Sequence, residues 1–257
     1  MPAETDVLMT VDGGVATVTL NRPEAYNAQT PAMWARLRAI AGELTGDVRV
    51  VVVRGEGRGF SAGLDTSALR GEAMDGGPSF PEMAQLPTDE CLRLIAGYQE
   101  AFSWLHRPDI ISVAAVSGHA VGAGFQLALA CDLRILTDDA QLAMAETTLG
   151  LVPDLGGTRR LVELVGYSHA LEICVTGRRV GAAEADRLGL ATLRVPRDEL
   201  DQATRDLVAA VLAAPRAAVS ETKALLAQAG SRSVDDQLLA EREAQTRRIA
   251  DLAGRGE

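Results

Sequence analysis

The chain has 257 residues, 47% of them hydrophobic, and a formal net charge of −10. That length and apolar share suffice for one large domain, or one domain with a small helical appendage, and the acidic balance argues against nucleic acid and anionic membranes as partners. No apolar run reaches the roughly 20 residues of a membrane span, Met1–Asp12 lacks signal-peptide character, and Cys91, Cys131 and Cys174 stand far apart outside any CxxC pair, which predicts free thiols in a reducing, cytoplasmic compartment and no metal site.

In chain order, Val7, Met9 and Val11 alternate with their neighbours, then Val15, Thr17 and Thr19; Asp12-Gly13-Gly14 between them predicts a β-hairpin. Thr30-Pro31 is a helix start, with Thr30 as N-cap and Pro31 in the first position, followed by apolar spacing at Met33, Leu37, Ile40 and Leu44. Val48–Val53 is mostly β-branched and predicts a buried strand, and a loop with Gly55, Gly57, Gly59 and Gly63 follows. Residues 71–87, rich in Gly, Pro and Met, read as a surface insertion or lid. An amphipathic helix is expected over 89–105, a strand over 110–116, a turn over 117–124, a helix over 125–130 and a strand over 133–136. Beyond Gly156 the pattern is helical (157–165, 168–176, 182–188, 197–213, 216–229 and 234–252), interrupted by a short strand at 191–195. Strands alternating with helices imply an α/β layer with crossover connections.

Three readings compete for the glycine turns. Gly59-Phe60-Ser61-Ala62-Gly63 fits the G-x-S-x-G nucleophile elbow of serine hydrolases, with Asp132 or Asp154 and then His169 to complete a triad. Gly118-x-x-x-Gly122-x-Gly124 has the look of a nicotinamide-binding turn, but Tyr167 is followed by Leu171 where a short-chain dehydrogenase needs lysine. In the third reading both turns act together. Each follows a strand and opens toward a helix, so each can present a backbone N–H to one oxyanion, which needs two converging donors. Small residues let a carbonyl approach the backbone, and the helix after Gly122 adds its positive end.

The residues that make the third reading specific are Asn21-Arg22-Pro23-Glu24-Ala25-Tyr26-Asn27-Ala28, Gly59-Phe60-Ser61-Ala62-Gly63-Leu64-Asp65, Ala114 to Gly124, Glu146-x-x-x-Gly150-Leu151-Val152-Pro153-x-x-Gly156-Gly157-Thr158, and Thr176-Gly177-Arg178 through Gly189-Leu190-Ala191. In these blocks, over essentially its whole length, the chain resembles the crotonase (enoyl-CoA hydratase/isomerase) family. The resemblance implies an α/β fold, a spiral of ββα units over 1–196 that binds acyl-CoA, and a C-terminal helical region over 197–257. It implies a coenzyme A thioester as substrate, no permanently bound cofactor, and a homotrimer or dimer of trimers. The N–H groups of Leu64 and Ala123 would form the oxyanion hole, although the family usually has glycine at the second place. Arg22, Glu24, Ala25, Tyr26, Ser61, Ala62, Gly63, Asp65 and Gly122 would line the CoA site.

Family hydratases resemble one another in two glutamates. Glu146 matches one; Gln126 stands at the place of the other and cannot exchange a proton at neutral pH. One-base double-bond isomerisation is therefore preferred over hydration, with Glu146 as acid and base, Gln126 beside it, and Asp154 as a second carboxylate where dienoyl-CoA isomerases also carry aspartate. Hydration and acyl-CoA binding without catalysis are the alternatives, beside the hydrolase. Asp65 reads as a helix cap, Asp132 as a structural carboxylate and His119 as satisfied by backbone; Lys223 stands where relatives offer a basic residue to CoA across a subunit contact.

Overall fold

The Gly13-Gly14 turn folds β1 (Val7–Asp12), which follows the short helix α1 (Ala3–Asp6), back onto β2 (Val15–Leu20), with Asp12 paired to Val15 and Val7 to Leu20. This is a computed structural model, and it describes residues 3–72 and 74–254. The hairpin is the expected one, but in β2 the buried parity is offset by one. Ala16, Val18 and Leu20 are buried, whereas Val15, Thr17 and Thr19 are only half-buried. β2 is an inner strand with a helix-covered face on each side, and the odd positions look toward the face that is covered only in part.

Thr30 caps α2 (Pro31–Glu43) by accepting the Met33 N–H, and Pro31 takes the first helical position, where a missing N–H costs nothing. α2 leads to β3 (Val50–Gly55). After it come α3 (Phe80–Met83), inside the segment expected to be a lid, α4 (Thr88–Ser103) and β4 (Ile111–Val116). The remaining elements are β5 (His119–Val121), α5 (Ala123–Ala130), β6 (Leu133–Thr137), β7 (Gln141–Ala143), α6 (Gly157–Thr176), β8 (Val180–Gly181), α7 (Ala182–Arg187), β9 (Leu193–Val195), α8 (Leu200–Ala213), α9 (Arg216–Gln228) and α10 (Val234–Leu252). α6 breaks at Gly166 (φ +75°, ψ 163°), between the two helices expected there.

The main sheet runs β1-β2-β3-β4-β6-β9 and is parallel except at β1/β2. Side chains alternate between its faces: Val51, Val53, Ala114, Val116 and Leu136 pack into the core with α2, α4, α5 and α6, while Val50, Val52, Val113, Ala115 and Ile135 meet Leu200 and Val208 of α8. A second, smaller sheet, β5-β7-β8, was not expected; its strands are only two or three residues long and sit in turns between longer elements. Each main-sheet strand from β4 onward thus has a small-sheet neighbour in sequence: β4 with β5, β6 with β7, β9 with β8. The chain winds through both layers once per unit, which is the crotonase-like spiral.

α8 lies on the main sheet, whereas α9 and α10 pack mainly on each other. Leu226, Leu238, Leu239, Ile249 and Leu252 are exposed. A buried lysine tethers α9 to the core. Lys223 Nζ, on a side chain only 9% exposed, donates to Asp132 Oδ2 (2.7 Å) and to the Ile110 carbonyl (2.8 Å), and Asp132 Oδ2 also accepts the Ser112 N–H (2.8 Å). Asp132 is therefore structural, and Lys223 is occupied within its own chain. Among the described residues no helix is long and apolar enough to cross a membrane.

Removing one partner of such a pair strands the other in a desiccated setting. Asp132→Ala should lower the unfolding free energy by about 3 kcal/mol, and Asp132→Asn, which keeps an acceptor for the Ser112 N–H, by less; urea titration of the two variants checks this.

Candidate active site

The two glycine turns are sewn together by backbone. Phe60 N–H donates to Ser117 O (2.9 Å), Ser61 N–H to His119 O (3.0 Å) and Val121 N–H to Ser61 O (3.0 Å), so Ser61 extends the small sheet beside β5 as a parallel bridge to Ala120. The approach leaves no space for side chains. A Cβ on Gly124 would stand 2.6 Å from the Ser61 carbonyl oxygen, and one on Gly63 would meet the Val121 carbonyl and come within 3.5 Å of the Ala123 nitrogen. The turns that carry Leu64 and Ala123 are thereby brought side by side. Neither residue's N–H has an acceptor among the described residues: Ala123 is the first residue of α5, where no intrahelical acceptor exists, and Leu64 lies between Gly63, whose carbonyl accepts from Gln29, and Asp65, whose N–H donates to Gln29.

Glu146 opens the 3-10 turn Glu146–Leu149 just after β7. Thr147 Oγ1 donates to the Cys174 carbonyl (2.6 Å), fastening that turn to the end of α6. The Glu146 side chain lies over Gly122, where φ +50° and ψ −121° suit glycine alone and where a Cβ would come within 3.3 Å of Oε1. Glu146 is 9% exposed; its Oε1 accepts from Gln126 Nε2 (2.7 Å), and its Oε2 is buried without a hydrogen bond. Burial pushes the carboxyl above the ordinary glutamate value of 4.5, and the charge of Asp154 adds to the rise; hydrogen bonds from its own N–H and from Gln126 act against it.

Gln126, 1% exposed, accepts the N–H groups of Leu155 (2.9 Å) and Gly157 (3.2 Å) at Oε1 while it donates to Glu146. Asp154 stands at the mouth of the same group. It is exposed, its carbonyl accepts from Gln99 Nε2 (2.7 Å), and the atoms packed around its carboxyl raise that group's pKa. Solvent contact tempers the effect. The Cys174 thiol is pushed up by burial and by the Glu146 charge.

The residues expected to meet CoA form one locked loop pair. Ala62 N–H donates to Tyr26 O (2.9 Å), and Tyr26 and Glu24 are exposed on the outer side, with Ala25 half-buried. Arg22 is already engaged: it donates to the Ala28 carbonyl (2.7 Å) and Asp65 (3.2 Å) and lies 3.5 Å from Asp6. Asp65 caps the turn that follows. Burial opposes its ionisation, but the Ser67 N–H and hydroxyl and Arg22 hold its carboxyl below the usual range. Ser61 is fully buried, donating to the Asn27 carbonyl (2.8 Å) and accepting from Gln29 Nε2 (3.1 Å), while His169 is exposed on α6. Among the described residues no base hydrogen-bonds to Ser61 as a serine nucleophile would need.

Sequence reasoning missed Asn27. It is fully buried at φ +54°, donates to Glu56 O (2.9 Å) and Gly59 O (3.0 Å), and accepts the Arg22 N–H. The signal was present, because asparagine tolerates the left-handed region and bonds its local backbone. His119 departs from expectation: its ring meets Tyr26 edge-on at 5.5 Å, and its Nε2 is buried without a partner.

A family model for enoyl-CoA hydratase/isomerase matches residues 10–253. A protein of Thermobifida fusca YX, whose crystal structure in complex with CoA superposes with a TM-score of 0.92, is 50% identical and covers 98% of this chain and 96% of its own. Its complex with acetoacetyl-CoA gives a TM-score of 0.93, with 97% and 96% coverage at the same 50% identity. The short-chain-enoyl-CoA hydratase of Clostridium acetobutylicum is 31% identical over 242 residues, 93% of this chain and 87% of that protein.

A carboxyl whose folded pKa lies above its unfolded value costs stability once ionised. Its contribution is fully present below the unfolded value of 4.5 and is lost as pH rises through the folded pKa. Glu146→Gln should therefore raise the melting temperature at neutral pH, and the gain should shrink as pH falls toward 4.5; thermal unfolding across that range measures it.

Proposed function

The chain belongs to the enoyl-CoA hydratase/isomerase family, and from that premise we propose that it isomerises the double bond of an enoyl-CoA with Glu146 as its single acid–base. Glu146 Oε2 takes the proton at C2 of a 3-enoyl-CoA. The C–H electrons form a C1–C2 double bond, and the thioester oxygen takes the negative charge. The N–H groups of Leu64 and Ala123 donate to that oxygen. When the carbonyl re-forms, the double bond settles between C2 and C3, and the proton on Oε2 passes to C4. Acid–base help of this kind is worth roughly 10²–10⁴-fold, and one oxyanion donor about 10²–10³-fold.

The observation that carries the reading is Glu146 Oε2, buried, unbonded and cradled over Gly122, beside two turns in which the Leu64 and Ala123 amides lack acceptors among the described residues. A raised pKa keeps the carboxyl close to the working range of a group that must accept and then return one proton. A CoA thioester as the substrate is supported by the CoA and acetoacetyl-CoA complexes of the Thermobifida fusca YX protein. The CoA moiety lies along loops 22–26 and 60–65, and since Arg22 is tied to Asp6 and Asp65, its phosphates draw on backbone donors more than on that side chain. The exposed apolar positions of α9 and α10 belong to the contacts of a homotrimer or dimer of trimers.

Hydration is the second reading, favoured by Asp154: it stands close enough to Glu146 to raise that group's pKa, and it can exchange a proton where Gln126 cannot.

Offered a 3-enoyl-CoA in D2O, the protein should form 2-enoyl-CoA and exchange deuterium at C2. Glu146→Gln should cut kcat by about 10³-fold with KM within about threefold. Hydration of a 2-enoyl-CoA at a rate matching isomerisation would overturn the preference, and undiminished exchange in Glu146→Gln would remove the base. Ser61→Ala, if it folds, should leave no less turnover per bound substrate, since the hydroxyl is not a nucleophile.

A further inference from the structure

Gln126 fills a place where a glutamine can neither give nor take a proton, yet it is among the most completely engaged side chains of the site. Its Oε1 has two acceptor positions, and both are used, by the N–H groups of Leu155 (2.9 Å) and Gly157 (3.2 Å). The amide cannot flip, because that would set its NH2 against two backbone donors. Its NH2 must then face Glu146, and it donates to Oε1 at 2.7 Å. Packing enforces the arrangement: a Cβ on Gly157 would stand 2.8 Å from Gln126 Cγ, and one on Gly122 would stand 3.3 Å from Glu146 Oε1. The two carboxylate oxygens of Glu146 are therefore unlike. Oε1 is held as an acceptor, and Oε2 has no hydrogen bond among the described residues.

We propose that Gln126 is a positioning residue which, clamped by the Leu155 and Gly157 amides, keeps Glu146 Oε1 out of the chemistry and confines proton transfer to Oε2, so that the site performs one-base rather than two-base reactions. The proposal rests on Glu146 as the base. It gives Gln126 no water to hold and no direct contact with the reacting atoms. It also ties the base to the loop 154–157, so a shift of that loop is felt at Oε1 through one side chain.

The discriminating variant is Gln126→Glu. When protonated, the introduced carboxyl can accept the two N–H groups with one oxygen and donate from the other to Glu146, which reproduces the wild-type pattern. When ionised, it sets two carboxylates within hydrogen-bonding distance of each other, and the donor to Oε1 is gone. Wild type should show an acid limb in kcat/KM and then a plateau. Gln126→Glu should show a bell, with near-wild-type rates on its acid side and roughly a tenfold fall per pH unit past its second apparent pKa, which belongs to the pair. Full rate on the acid side also proves that the variant is folded. Gln126→Met, which removes both the donor and the acceptor, should lower kcat about 10–100-fold at every pH, with KM within about threefold. Superimposable profiles for wild type and Gln126→Glu, or an unchanged kcat in Gln126→Met, overturn the proposal. Glu146→Gln assayed alongside separates the failures. If it abolishes C2 exchange while the Gln126 variants behave as wild type, only the role of Gln126 falls; if it keeps exchange, the base assignment falls and this proposal with it.

Discussion

Three main-chain hydrogen bonds, from the Phe60 N–H to the Ser117 carbonyl, from the Ser61 N–H to the His119 carbonyl and from the Val121 N–H to the Ser61 carbonyl, hold the halves of the site together. Neighbouring parallel strands of the main sheet deliver those halves to the same edge, one after β3 and one after β4, but a further contact must lock one turn against the other. The small sheet does so. Because backbone joins backbone, the geometry depends on glycines at 63 and 124 that permit the approach, more than on the chemistry of any side chain. A side chain at Ala123 is accommodated because the tight packing is taken up one residue to either side, at Gly122 and Gly124.

The carboxylate is managed differently. A buried acid without a cation is costly when ionised, and among the described residues no arginine or lysine is bonded to Glu146. One charge-assisted hydrogen bond from Gln126 and its own backbone N–H offset part of that cost, and Asp154 works against them. The carboxylate is thus left incompletely solvated. Its position is secured by rigid supports: the turn fastened through Thr147 to α6, and the amide anchored at the start of the same helix. α6 holds Glu146 from both of its ends.

Much of this was legible beforehand because periodicity and turn chemistry act locally. The Gly13-Gly14 hairpin, the Thr30-Pro31 helix start and the β-branched run of β3 each declare themselves within a few residues. The ordered glycine blocks pointed to two turns that meet, and those turns do lie side by side. The small sheet escaped notice, since strands of two or three residues carry no alternation to read. Alternation picked out Val15, Thr17 and Thr19 in β2, whereas Ala16, Val18 and Leu20 are the buried set; both of its faces meet protein, so alternation alone does not choose between them. The contacts of Arg22, Gln126 and Asn27 depend on partners across long sequence separations, and composition cannot reveal them: the Arg22 cation looks available until Asp6 and Asp65 are seen beside it.

The placement of α8 bears on how the molecule is made. The sheet's second face, with Val50, Val52, Val113 and Ile135, is covered by Leu200 and Val208, residues encoded far downstream of the strands they shield. During synthesis, at about 5–20 residues per second, that face stays bare for several seconds after β6 has emerged. A nascent chain in that interval presents a wet, valine-rich surface to its surroundings, which makes it a natural client for chaperones and prone to aggregation if translation stalls before the helix leaves the ribosome.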